Sequence, residues 1–132
     1  MKLKPFLRSK QHQDALFQGL KDGVIDAISS YHTPETLENK VCEFSYAAFG
    51  SISFQTFLPM LAKFVSPKIG WEKVVELTSI NPSRILKEEG SKSYILIDLE
   101  KDWTYNHESN LSLAQNSPCF NQVLKGEIIE IV

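Results

Sequence analysis

One short run governs what this chain can become: Val24-Ile25-Asp26-Ala27-Ile28, read as a buried strand. A strand apolar on both faces belongs inside a parallel sheet, covered above and below. Standing alone, it has two unpaired edges and an uncovered apolar surface. The first ninety residues offer no second run of this kind. Three outcomes remain open. The chain associates with a partner carrying the missing strands, rearranges into a compact helical fold, or exists as a marginally stable truncation product.

The other elements of that first part read as helices. Gln11 to Leu20 places Ala15, Leu16 and Leu20 on one side, and Gly23 follows where a helix end takes positive φ. Pro34 to Lys40 opens a helix, with Pro34 suited to the first turn and Glu35 and Glu38 to its dipole. Phe54, Phe57, Leu58, Leu61, Phe64 and Val65 form a stripe at helical spacing, in which Pro59 marks a kink or a first turn. Trp71, Val74, Val75 and Thr78 share a face after Gly70. Asn81-Pro82 reads as a helix start, Asn as cap and Pro at the first position, leading into a short helix from Ser83 to Lys87. The character changes after Gly90. Tyr94 to Leu99 is a strand, Asp102 to Asn110 is polar and turn-rich, and Glu127 to Val132 is a terminal strand. The expected division is therefore 1–90, helices around one strand, and 91–132, a small β-structured tail.

Composition removes several classes of function. The 132 residues are 42% hydrophobic and 23% charged, which suits one globular domain. The net charge of −2, with both signs interspersed, offers no basic patch for nucleic acid. The run Phe57 to Ala62 is cut by Lys63 and is far too short to span a bilayer. Met1 to Leu7 has a basic start without the apolar region of a signal peptide. Cys42 and Cys119 lie far apart with no zinc-type spacing, and read as free thiols of a cytoplasmic protein.

The order of motifs resembles the C-terminal third of a bacterial dihydroorotase, of the amidohydrolase superfamily. Lys4-Pro5-Phe6-Leu7-Arg8 is similar to N-P-P-L-R, and Leu20 to Ile28 to L-x-D-G-x-I-D-A-I. Tyr31-His32-Thr33-Pro34-Glu35 stands where the family has D-H-A-P-H. Ala47-Ala48-Phe49-Gly50 resembles A-P-F-G, and Ser53-Phe54-Gln55-Thr56 resembles G-L-E-T. Asn81 to Leu86 resembles N-P-A-K-I-L. Asn116-Ser117-Pro118 and Leu124-Lys125-Gly126 match N-[ST]-P-F and L-x-G. The resemblance implies an α/β fold: the last one or two strand–helix units of a metal-dependent (β/α)₈ barrel, plus a small β tail. It implies, for the intact family, zinc-dependent reversible hydrolysis of dihydroorotate to N-carbamoyl-aspartate in pyrimidine biosynthesis.

The chemistry implied by the resemblance is eroded here. Tyr31 occupies the place of the carboxylate that binds metal and takes a proton from the attacking water, work for which a carboxylate is suited and a phenol is not. Lys4 replaces a substrate-contacting asparagine. Glu35 replaces a substrate-contacting histidine and repels an anionic substrate. His12, His32 and His107 form no H-x-H, and three or four converging zinc ligands are not recognisable, so no metal is expected on this chain. Phe49 and Gly50 are the residual substrate contact, because the family counterpart uses backbone there. His32 is expected to be structural. No catalytic residue is assigned. The chain is expected to be inactive alone and to act through association: with an N-terminal dihydroorotase fragment, with aspartate carbamoyltransferase, which inactive homologues support in some bacteria, or with itself. The alternative is one chain of a split dihydroorotase whose zinc is supplied by the missing part.

Overall fold

The computed structural model describes residues 1–88 and 93–131. The division expected at residue 90 falls outside them. Helix α1 (Lys10–Lys21) carries a Lys10–Asp14 ion pair one turn apart and ends before Gly23, whose φ of 70° is the left-handed conformation glycine accepts most easily. The amides of Val24 and Ile25 both donate to the Gly19 carbonyl and turn the chain back along the helix.

The expected strand at Val24 to Ile28 is corrected. The run is extended but pairs with no strand among the described residues, and Val24 is 76% exposed. The physical reason is the one that made it informative: a strand needs a hydrogen-bonded neighbour on at least one edge. Instead it leans on a helix. Ile28 donates its amide to the Leu77 carbonyl (2.9 Å), and Asn81 Nδ2 donates to the Asp26 carbonyl (3.1 Å).

Helix α2 (Leu37–Lys40) begins later than expected. Thr36 is its cap, its hydroxyl accepting from the Asn39 amide, so Pro34 and Glu35 lie before it. Glu38 does sit in the first turn. Its own backbone amide and the Thr36 hydroxyl hold its carboxyl below the usual range. Helix α3 (Phe54–Met60) contains Pro59 in its interior and continues through a π-helical turn, Leu61–Val65, into α4 (Ser66–Ile69). After Gly70, α5 (Trp71–Val75) runs through a second π turn, Glu76–Ile80, into α6 (Asn81–Leu86).

Asn81 is therefore not a cap, which corrects the sequence reading. The helix passes straight through Asn81-Pro82, and Lys87 ends it in the left-handed conformation. Both π turns lie just ahead of a Ser-Pro or Asn-Pro step. The residue before each proline donates one position further back than in an α-helix, Ser66 to Leu61 and Asn81 to Glu76. Proline lacks an amide hydrogen and its ring crowds the carbonyl four residues earlier. A widened turn gives that carbonyl room without breaking the helix.

The tail is an antiparallel hairpin of β1 (Ile95–Tyr105) and β2 (Gln122–Ile131). Both strands are longer than expected. Asp102 to Tyr105, read as loop, pair with Lys125 to Gln122, and Val132 lies outside the described residues. A register irregularity between Asp98 and Asp102 explains why strict alternation is lost in the sequence. β2 packs across α3 and the first π turn. At Gly126, with φ of 96°, an added Cβ would stand 3.1 Å from Ile97 Cδ1 of β1 and 3.6 Å from Ala62 Cβ of the π turn. Leu61, Val74, Leu77, Tyr105 and Leu124 fill the core between helices and hairpin.

Candidate functional site

The loop Tyr31–Glu35 and the arch Ala47–Gly50 meet, and polar side chains from two other segments, the tail and α2, fix them there. Asn116, 4% exposed in the tail, is the hub. Its Oδ1 accepts from the Glu35 amide (3.1 Å) and its Nδ2 donates to the carbonyls of Thr33 (3.0 Å) and Gly50 (3.4 Å). Its own carbonyl accepts from Ile52 (3.1 Å), and Thr33 donates to the Ser51 carbonyl (2.9 Å). A buried amide with every polar group engaged specifies one arrangement of the segments it joins.

Lys40, at the end of α2, is a second tie. Its ammonium donates to the carbonyls of Lys2, Ala48 and Gly50 at 3.1, 2.8 and 3.0 Å. The N-terminal segment is thereby brought to the arch. Gly50 donates to the Lys2 carbonyl (3.2 Å), Lys2 Nζ lies 4.6 Å from the Phe49 ring centre, and Phe6 meets Phe49 edge-on at 5.7 Å. Lys4 belongs to this segment and is exposed.

His32 has a defined task. Its Nδ1 accepts from the amides of Ser53 and Phe54, both at 3.1 Å, and its ring meets Phe54 edge-on. The imidazole thus occupies the place of a capping side chain at the start of α3. An acceptor at Nδ1 puts the proton of the neutral ring on Nε2. Neighbouring Tyr31 is 56% exposed and has φ of 47°, a left-handed backbone that a tyrosine seldom adopts. The Ser29 hydroxyl accepts from its amide and the Thr33 hydroxyl donates to its carbonyl. Glu35 Oε2 accepts from Asn39 Nδ2 at 3.0 Å.

The described residues gather no group of three or more His, Cys, Asp or Glu side chains able to hold a metal ion. His12 is tied to Ser9 and His107 to Gln115, both on Nδ1. The donor set does not fit a resident zinc. A cleft of about 500 Å³ opens beside His32, lined by Ile52, Phe54, Leu58, Tyr105 and Ile128 among others.

A scan of family models finds none that matches the chain. Curated proteins do. The chain is 40% identical over 136 aligned positions to a dihydroorotase of Elusimicrobium minutum, covering 96% of this chain and 32% of that protein. It is 34% identical to a dihydroorotase of Caldicellulosiruptor saccharolyticus, covering 99% and 33%. This chain belongs to the dihydroorotase family. It corresponds to the C-terminal third of a dihydroorotase and spans about a third of the length of those relatives.

The fold agrees. An L-hydantoinase from Arthrobacter aurescens superposes with a TM-score of 0.87 at 21% identity, over 99% of this chain and 32% of its own. A dihydroorotase from Campylobacter jejuni gives 0.75 at 19%, over 98% and 37%. These are amidohydrolase barrels, and the chain is a partial α/β segment of that fold carrying a small antiparallel sheet. Of the positions that dihydroorotase resemblance singled out, the structure brings Tyr31, His32, Glu35, Phe49 and Gly50 to one end of the molecule. Lys40 and Asn116 were missed as parts of it. Asn116 was visible only as a tail motif, and Lys40 only as a charge at the end of a short helix.

Proposed function

We propose that this dihydroorotase-family chain is catalytically silent by itself and acts by association, completing a barrel whose earlier strands lie elsewhere. The observation that carries this reading is the extended run Val24–Ser30. It is anchored on one side to the second π turn and α6, and it is left without a sheet partner among the described residues. The occupant that suits it is the N-terminal part of a dihydroorotase barrel, because the curated relatives are three times as long. Aspartate carbamoyltransferase and a second copy of the chain are the further partners of this reading. The tail, residues 91–132, belongs to the same composite unit as residues 1–90. Work of this kind places the protein in the cytoplasm, attached to pyrimidine biosynthesis.

A second reading has its own support: Asn116, Lys40 and His32 keep the loop and arch fully tied, an order that a hydrolase site needs. On this reading the chain is one part of a split dihydroorotase hydrolysing dihydroorotate to N-carbamoyl-aspartate, with zinc held by the other part.

One experiment addresses both. The chain is co-expressed with the N-terminal two thirds of a curated dihydroorotase, and the mixture is followed by light scattering and by dihydroorotate hydrolysis with zinc. A stoichiometric complex without turnover supports the first reading. Turnover that rises at least tenfold with Tyr31→Asp supports the second, with Tyr31 as its block. A chain that stays separate from the N-terminal part, from aspartate carbamoyltransferase and from itself overturns the association.

A further inference from the structure

Lys40 is unusual in what it does not touch. No carboxylate pairs with it among the described residues. All three of its donors go to main-chain carbonyls, two of them in the arch. We infer that Lys40 is a positioning residue: it turns the carbonyls of the Ala48–Phe49 and Gly50–Ser51 peptides inward onto one ammonium and polarises both peptides, so that each presents a strengthened, outward N–H donor to an oxygen ligand. The inference rests on the reading of the arch as the residual substrate contact.

The argument is geometric. A trans peptide is planar, so its N–H points opposite to its C=O. Both peptides are trans, the one cis bond among the described residues being Lys4–Pro5. The Ala48 carbonyl shares its peptide with the Phe49 amide, and the Gly50 carbonyl with the Ser51 amide. Both carbonyls converge on one ammonium, so each N–H group is directed outward, away from it. Neither amide has a hydrogen-bond partner among the described residues. The Gly50 amide between them is used up on the Lys2 carbonyl, which itself accepts from Lys40. Asn116 pins the same Gly50 carbonyl from a second direction.

A positive charge within 3 Å of a carbonyl oxygen draws electron density along the peptide and makes its N–H more positive. The ligand class that profits is an anionic or carbonyl oxygen. Lys40 never meets that ligand; it acts only through the two peptides. An arginine keeps the charge, although its planar fork cannot reproduce three divergent bonds.

The test is base-catalysed amide exchange, read residue by residue by NMR on the full chain, since that rate follows the acidity of the N–H. Lys40→Met is expected to slow exchange at Phe49 and Ser51 by about threefold or more. Other unprotected amides should stay within about twofold, and Lys40→Arg should recover most of the loss. Unchanged rates at Phe49 and Ser51 overturn the inference. So does a joint acceleration across residues 47–52, which would mean that Lys40 merely holds the loop. If Lys40→Met does not fold, the unaltered chain decides. Its Phe49 and Ser51 amides must exchange about threefold or more faster than the same sequence does unfolded, and slower exchange overturns the inference. Absence of hydrolysis in every assembly would leave these rates as they are, so the two readings fail separately.

Discussion

At the scale of single residues, the backbone at position 31 has kept a conformation that its side chain does not favour. Asn and Asp accept the left-handed region far better than an aromatic residue does. Tyr31 therefore sits in strain held by Ser29 and Thr33. Tyr31→Asn should raise stability by roughly 0.5–1 kcal/mol in urea unfolding, and a loss of stability would show that the phenol packs usefully. Gly50 is the opposite case. Its φ is 120°, and a Cβ there would lie 2.6 Å from Thr33 Cβ. Gly50→Ala should cost about 2–4 kcal/mol. Thr33→Ala should not rescue it, because the clashing Cβ remains, whereas Thr33→Gly should recover part of the loss. Motif positions made both residues legible in the sequence. Their dihedral angles were not, because the backbone is held at 31 by the Ser29 and Thr33 hydroxyls and at 50 by Lys40 and Asn116, side-chain bonds that no local pattern announces.

At the scale of elements, local pattern served where an element satisfies its own backbone and failed where it depends on neighbours. Helix α1 was legible from its apolar spacing and Gly23. Val24 to Ile28 was legible as extended and apolar, yet its burial was not, since burial belongs to strands that these residues do not contain. Asn81-Pro82 looked like a helix start because capping and continuation through a π turn share the same two letters. The consequence is testable. Asn81 anchors the extended run through the Asp26 carbonyl, so Asn81→Ala should cost about 1 kcal/mol and speed hydrogen exchange at the Ile28 amide. Equal exchange rates would mean that the Ile28–Leu77 bond suffices. The hairpin makes a prediction of its own. Burial, with a contribution from Cys119, pushes the Tyr105 hydroxyl above the usual tyrosine range. The folded state then keeps its proton longer than the unfolded state. The stabilisation is complete below the ordinary tyrosine value of about 10 and is lost as pH rises from there through the folded value. Alkaline unfolding followed by tyrosine absorbance should show this loss, and Tyr105→Phe should flatten it.

At the scale of the whole molecule, large apolar side chains stand exposed where the proposed association would cover them. Val24, Leu16 and Phe64 stand at 76%, 55% and 49% exposure around the extended run, and Ile95, Ile129 and Ile131 crowd the open end of the hairpin. A two-stranded hairpin is marginal in water without further strands or a packed face, and here β2 packs on α3 and the first π turn. These features separate folding from assembly, because a residue exposed in the single chain contributes little to its stability yet lies where a partner strand would pair. Val24→Asp is the sharpest probe. In the isolated chain it should change unfolding free energy by no more than about 0.5 kcal/mol. Against the N-terminal part of a dihydroorotase barrel it would bury an unpaired carboxylate beside a hydrogen-bonded edge, and affinity should fall by about tenfold or more. The measurement is titration calorimetry of the variant and the parent against that partner. If the variant binds as well as the parent, the run from Val24 to Ser30 is not the seam. The apolar end of the hairpin then becomes the surface through which this chain associates.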